Sequence, residues 1–155
     1  MRVLVMGGTR FFGKRLVWQL LDEGHTVSLL TRGLIPDPFG ARVHRLRATR
    51  SDPAQMAEAL SDERFDVVYD QICFSPDDAL IACRMLAGRV GRYVFTSSMY
   101  VYPSAAALRE EDYDPCAHSI RMGSRPGLTY EEGKRYAEAV FLREERLPVV
   151  WKIRF

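Results

Sequence analysis

The chain has 155 residues, 47% of them hydrophobic and 27% charged, with 22 basic against 20 acidic side chains. That length suits one globular domain, because a single core serves about 100–200 residues, and the composition excludes disorder and low complexity. A net charge of +2 with scattered arginines argues against a nucleic-acid-binding domain, and no apolar run approaches the ~20 residues of a membrane span.

Val3 to Met6 is too short for the core of a secretory signal and is broken at once by Gly7-Gly8-Thr9-Arg10. Cys73, Cys83 and Cys116 are odd in number and lack CxxC spacing, which fits reduced thiols and a cytoplasmic location. His25, His44 and His118 are far apart, so no metal site is expected.

In chain order, Arg2–Met6 is a short β-rich run followed by glycines. Lys14–Glu23 puts Leu16, Val17, Leu20 and Leu21 on one helical stripe, which Gly24 ends. Thr26–Thr31 reads as a second strand, completing a βαβ unit with parallel strands. Pro36 and Pro38 exclude a regular helix over 33–41. Strand three is expected over Arg42–Arg47. A helix opens at Ser51-Asp52-Pro53 and runs to about Leu60. Phe65–Cys73 is apolar enough for a strand buried on both faces. Pro76–Leu86 is a helix, Arg92–Ser97 a strand, Thr129 to about Arg146 a long helix and Val149–Phe155 a sixth strand. The pattern predicts an α/β fold: a doubly wound parallel sheet of Rossmann type, in strand order 3-2-1-4-5-6. Residues 103–128 form a long connection at the carboxyl end of the sheet, where ligands bind in such folds.

Three local patterns carry chemistry. Gly7-Gly8-Thr9-Arg10-Phe11-Phe12-Gly13 follows a strand and opens a helix, whose free N–H groups and positive end suit a pyrophosphate. Gly7 permits the tight turn, and Gly13 lets the helix pack on the strand. Tyr130 and Lys134 are four residues apart on one helix face, and a neighbouring ammonium favours a phenolate, so the pair can serve as acid and base. Ser97 closes strand five and Ser98 directly follows it, at the end of the sheet that faces the ligand crevice. Each pattern alone also fits an ordinary glycine turn, a solvated helical pair or a hydroxyl-rich strand end.

Together the patterns resemble the extended short-chain dehydrogenase/reductases of the NAD-dependent epimerase/dehydratase family. The likeness rests on Gly7–Gly13, on Ser97-Ser98-Met99-Tyr100-Val101-Tyr102 and on Tyr130–Lys134 followed by Arg135-Tyr136-Ala137-Glu138. It implies that Tyr130 is the catalytic acid/base, that Lys134 holds the nicotinamide ribose and supports Tyr130, and that Ser98, rather than Ser97, orients the substrate oxygen. It implies a cofactor held by Gly7, Thr9, Arg10, Phe11, Phe12 and Gly13, by Thr31 and Arg32 after strand two, by Thr49 and Cys73 at the ends of strands three and four, and by Tyr130 and Lys134. It also implies a small-molecule substrate, commonly a nucleotide sugar, and a homodimer built from the helices at Pro76–Leu86 and Thr129–Arg146. Family members continue into a substrate domain, so residues 1–155 are expected to be the cofactor-binding portion of a longer enzyme, inactive alone.

The departures from the family pattern are informative. Arg10 replaces the middle glycine, Thr31-Arg32 stands where an acidic residue would bind the adenosine ribose, and Ala48 replaces an aspartate near the adenine. Two arginines and no carboxylate favour NADP over NAD, because guanidiniums make charge-assisted bonds to a 2′-phosphate. The GGTRF form is also similar to a side branch that includes chloroplast stem-loop RNA-binding proteins. A non-catalytic nucleotide- or RNA-binding member is therefore the alternative.

Overall fold

The computed structural model describes residues 1–103, 107–117, 119–144, 147 and 150–153. Strands β1 (Arg2–Met6), β2 (Thr26–Thr31), β3 (Val43–Arg47), β4 (Phe65–Asp70), β5 (Val90–Thr96) and β6 (Val150–Ile153) form one sheet. Its order is β3-β2-β1-β4-β5-β6, with every pairing parallel. This is the expected doubly wound topology, and the order reverses at β1, which pairs with both β2 and β4. The crevice at that reversal is where such sheets bind ligands.

The period-2 alternation of strand side chains creates the layers. Val3, Val5, Val27 and Leu29 face helix α1 (Phe11–Asp22) and pack on Val17, Leu20 and Leu21. Leu4, Met6, Leu30 and Val68 face the other way, onto helices α2 (Pro53–Leu60), α3 (Pro76–Leu86) and α4 (Tyr130–Arg143). Local signals start these helices. The Asp52 carboxylate accepts from the N–H groups of Ala54 and Gln55, Ser75 Oγ accepts from Asp78 N, and Thr129 with Glu132 forms a reciprocal cap. Prolines at the first positions of α2 and α3 lose no helical bond there.

Several boundaries differ from the sequence expectation. Helix α1 begins at Phe11 rather than Lys14. Strand β4 ends at Asp70 rather than Cys73, because Asp70 Oδ1 accepts from Ile72 N at 3.1 Å and turns the chain. Strand β3 begins at Val43, and β5 begins at Val90 and ends at Thr96. Helix α4 ends at Arg143; Arg146, in the expected helix, lies outside the described residues, as do Val149, Arg154 and Phe155 of the expected sixth strand. The β2–β3 connection has no regular helix, only a 3-10 turn at Gly40–Arg42. Among the described residues no helix is long and apolar enough to cross a membrane.

The long connection between β5 and α4 is tied to its neighbours through short 3-10 turns. Arg135 of α4 donates to Val101 O at 2.7 Å and Tyr102 O at 3.1 Å, and Tyr113 Oη donates to Arg135 O at 3.2 Å. At its far end Gly123 N donates to Asp77 Oδ1 of α3 at 3.1 Å.

Helix α4 starts hard against the loop that leads into α3. A Cβ on Gly133 would lie 2.2 Å from the Phe74 carbonyl oxygen, an overlap that backbone cannot absorb without moving. Gly133→Ala is therefore expected to destabilise the fold by about 1–3 kcal/mol, although alanine gains ~1 kcal/mol in helix propensity. Urea unfolding of the variant checks this, and an increase in stability would contradict it.

Candidate functional site

A cleft of about 820 Å³ opens at the carboxyl ends of the central strands. The glycine turn forms one side of it. Gly7 has φ +94°, a conformation that favours glycine, and a Cβ there would lie 2.5 Å from Ile72 Cγ2. Gly13 lets α1 close onto the turn: a Cβ would lie 2.6 Å from Gly7 O and 2.0 Å from Gln71 Oε1. Arg10 takes the N-cap position of α1 with extended backbone and no side-chain capping bond, and the first turn carries no acidic residue. Among the described residues no side chain caps this helix N-terminus, which leaves its positive end open to an anion. Phe11 follows with φ +46°, an uncommon conformation for a bulky side chain, and is 86% exposed. Strain held at the mouth of a cleft is a mark of ligand sites.

Of the residues singled out in sequence, Gly7, Thr9, Arg10, Phe11, Phe12, Thr31, Arg32 and Thr49 line this cleft. Thr31 Oγ1 accepts from Gly33 N at 3.1 Å, and Thr49 N donates to Gln55 Oε1 at 2.8 Å. Gly13 stands behind the turn as a packing position. Cys73 is not brought to the cleft by its side chain. The thiol is fully buried, donates toward Ser75 O at 3.7 Å, and burial drives its pKa far above the usual thiol range. What Cys73 contributes is its carbonyl.

That carbonyl accepts from Lys134. The Lys134 ammonium is buried and donates to Cys73 O and Thr96 O, both at 2.8 Å. It also sits 4.7 Å from the Phe74 ring centre, 4.8 Å from that of Phe95 and 5.9 Å from that of Tyr130. Desolvation holds its pKa below the ordinary lysine value. An ammonium has three donors, so the two carbonyls leave one over. Tyr130, the first residue of α4, is half-exposed, its ring between those of Tyr100 at 6.0 Å and Phe74 at 6.2 Å. Phe74 lines the cleft, so the Tyr–Lys pair stands at its edge. Both serines are buried. Ser98 Oγ accepts from Tyr100 N at 3.3 Å and caps the 3-10 turn Met99–Val101, whereas Ser97 Oγ has no partner among the described residues.

The sequence of the first half of the chain matches the profile of the NAD dependent epimerase/dehydratase family over residues 3–81. The chain belongs to that family. It is 32% identical over 130 residues to the chloroplast stem-loop binding protein of 41 kDa b of Arabidopsis thaliana, covering 74% of this chain and 34% of that protein. It is 33% identical over 99 residues to the 2'-dehydrokanamycin reductase of Streptomyces kanamyceticus, covering 64% of this chain and 28% of that protein. The fold superimposes on the Bordetella bronchiseptica enzyme WbmG, solved in complex with NAD and UDP, with a TM-score of 0.74 at 16% identity, covering 99% of this chain and 52% of that one. The chain therefore spans about a third of the two curated relatives and about half of that solved structure.

One set of residues went unnoticed in sequence. Arg50, after β3, is buried and lines the cleft. Its guanidinium pairs with Asp70 at the end of β4 and donates to Asp78 O of α3, and Tyr93 Oη of β5 donates to the same Asp70 oxygen. Burial opposes the Arg50 charge, but Asp70 together with the neighbouring Cys73, Tyr93 and Asp78 outweighs it, and the guanidinium pKa stands well above the ordinary value; burial and Asp70 together push the Tyr93 phenol up. The contributing residues are far apart in sequence and share no spacing rule, so the only signal was a polar residue at the end of an apolar strand. Removing one member of a buried pair leaves the other uncompensated, at a cost of about 3–5 kcal/mol. Arg50→Met is expected to destabilise by that amount, and Arg50→Met with Asp70→Leu to recover part of it. Denaturant unfolding of the singles and the double checks this; additive losses would contradict the coupling.

Proposed function

We propose that this chain binds a nicotinamide dinucleotide in the cleft, NADP in preference to NAD, as the cofactor-binding part of an epimerase-, dehydratase- or reductase-type oxidoreductase. The observation that carries the reading is Lys134, an ammonium buried without a carboxylate partner among the described residues, held by two carbonyls beneath Tyr130 at the cleft edge, with one donor to spare. The strained, uncapped glycine turn supports it from the other side of the cleft.

When bound, the nicotinamide ring supplies or takes a hydride at an alcohol or ketone carbon. The spare Lys134 donor binds the nicotinamide ribose. The Tyr130 phenol exchanges a proton with the substrate oxygen, and the Ser98 hydroxyl donates to that same oxygen. The NAD and UDP bound to WbmG support a nucleotide sugar as the substrate class. Pairing of two copies through α3 and α4 belongs to the same proposal.

In a protein carrying this chain that turns over with NAD(P), Tyr130→Phe is expected to lower kcat by about 10²–10⁴-fold, the usual contribution of a positioned acid/base. Cofactor affinity stays largely intact in that variant, whereas Lys134→Ala lowers both turnover and affinity. Near-normal turnover of Tyr130→Phe would remove the acid/base role.

Arg10 and Arg32 both line the cleft, and neither makes an ion pair among the described residues. A hydrogen bond to a charged group nets ~1.5–3 kcal/mol, so two guanidiniums on one 2′-phosphate favour NADP by about tenfold or more. Fluorescence titration with NADPH and NADH measures this directly. Equal affinities, or unchanged NADPH binding in an Arg10→Ala, Arg32→Ala double variant, would overturn the preference.

The 32% identity to a protein named for stem-loop binding supports a second reading, a non-catalytic RNA-binding member. Gel shifts at two salt concentrations separate the two, because phosphate contacts give a steep salt dependence.

A further inference from the structure

Arg10 and Arg32 stand with the glycine turn and the end of β2, and Arg50 is held by Asp70. Arg125 lines the same cleft from the long β5–α4 connection, on a 3-10 turn at Arg125–Gly127. The turn is pinned on both sides. Gly123 N donates to Asp77 Oδ1 of α3, and Arg121 donates to Gly127 O at 3.2 Å while pairing with Glu132 of α4 at 3.3 Å. From this anchored backbone the Arg125 guanidinium lies 4.5 Å from the Phe74 ring centre. That contact orients the guanidinium but uses none of its N–H donors. Among the described residues Arg125 makes no ion pair.

A pre-oriented guanidinium that makes no hydrogen bond or ion pair among the described residues, facing a cleft, is a site for an anion. Its position says which one. The Phe74 ring that carries Arg125 also carries the Lys134 ammonium at 4.7 Å, so the two cations share one ring. Lys134 is the residue proposed to hold the nicotinamide ribose, and in a dinucleotide that ribose is bonded directly to the pyrophosphate. The adenosine ribose, by contrast, is the part proposed above to meet Arg10 and Arg32.

We propose that Arg125 binds the phosphate next to the nicotinamide ribose, and so completes the pyrophosphate site from the long-connection side of the cleft. The α1 N-terminus meets the pyrophosphate from the glycine turn; Arg125 supplies the full charge that the turn lacks. The connection thereby reports on the cofactor, since the same segment leads directly into Tyr130.

This rests on the dinucleotide reading, and the test separates the two. Calorimetric titration of the chain with NADH and with 5′-AMP, which lacks the second phosphate and its ribose, is compared for the native protein, Arg125→Ala and Arg125→Lys. Arg125 is exposed, so neither substitution touches the core. Arg125→Ala is expected to weaken NADH about tenfold, the scale of one charge-assisted bond, and to leave 5′-AMP unchanged; Arg125→Lys falls between. Unchanged NADH affinity in Arg125→Ala would overturn this assignment alone. Equal loss of NADH and 5′-AMP would also overturn it, by showing that the residue only shapes the connection. If the native chain bound neither ligand and did not bind NADPH either, the dinucleotide reading would fall and this assignment with it.

Discussion

The architecture around the cleft depends on a buried charge. Asp70 ends β4 inside the protein, where a lone carboxylate is prohibitively costly, and its surroundings are organised to hold it. One oxygen receives Arg50 and Tyr93, and the other receives Ile72 N–H. Through these bonds the exit of β3, the end of β4 and the middle of β5 are tied at one point, with α3 joined through Asp78 O. Buried pairs add little net stability compared with apolar packing, but they tolerate few alternative arrangements. Here the arrangement held is the bend at 70–74, which sets the Cys73 carbonyl and the Phe74 ring.

Lys134 inherits its position from that bend. Among the described residues no carboxylate pairs with it; two carbonyl dipoles and the faces of three aromatic rings hold it instead. Such a cage leaves the positive charge acting on whatever enters the adjoining cleft, in surroundings where water screens it weakly. Desolvation lowers its pKa, yet the carbonyls favour the protonated form, so the group serves as a fixed donor. The close approach at Gly133 permits this, because α4 must start against the Phe74 carbonyl for Lys134 to reach the carbonyls of Cys73 and Thr96.

The two sides of the cleft use different devices. On the glycine side the donors are backbone N–H groups, and the departure at Arg10 costs the turn nothing in geometry, because the residue takes an extended N-cap conformation that any side chain adopts. On the other side the donors are side chains on segments pinned by hydrogen bonds to α3 and α4. A rigid sheet thus carries a cleft lined mostly by connections, where sequence can vary without disturbing the core.

Much of this was legible in the sequence. The strand order follows from alternating β and α segments, each with local caps, since parallel strands joined by right-handed crossovers leave few topologies open. The glycine turn and the Tyr130–Lys134 pair were readable for the same reason: their members are neighbours in the chain, and helical period alone puts them on one face. Only the tertiary structure decided the rest. Arg50 meets Asp70 across the sheet, Cys73 offers its carbonyl rather than its thiol, and Arg125 finds Phe74 across the mouth of the cleft. No periodicity links these residues; they meet because the bend after β4 and the anchored connection before α4 are held by packing and hydrogen bonds that form only when the chain has folded.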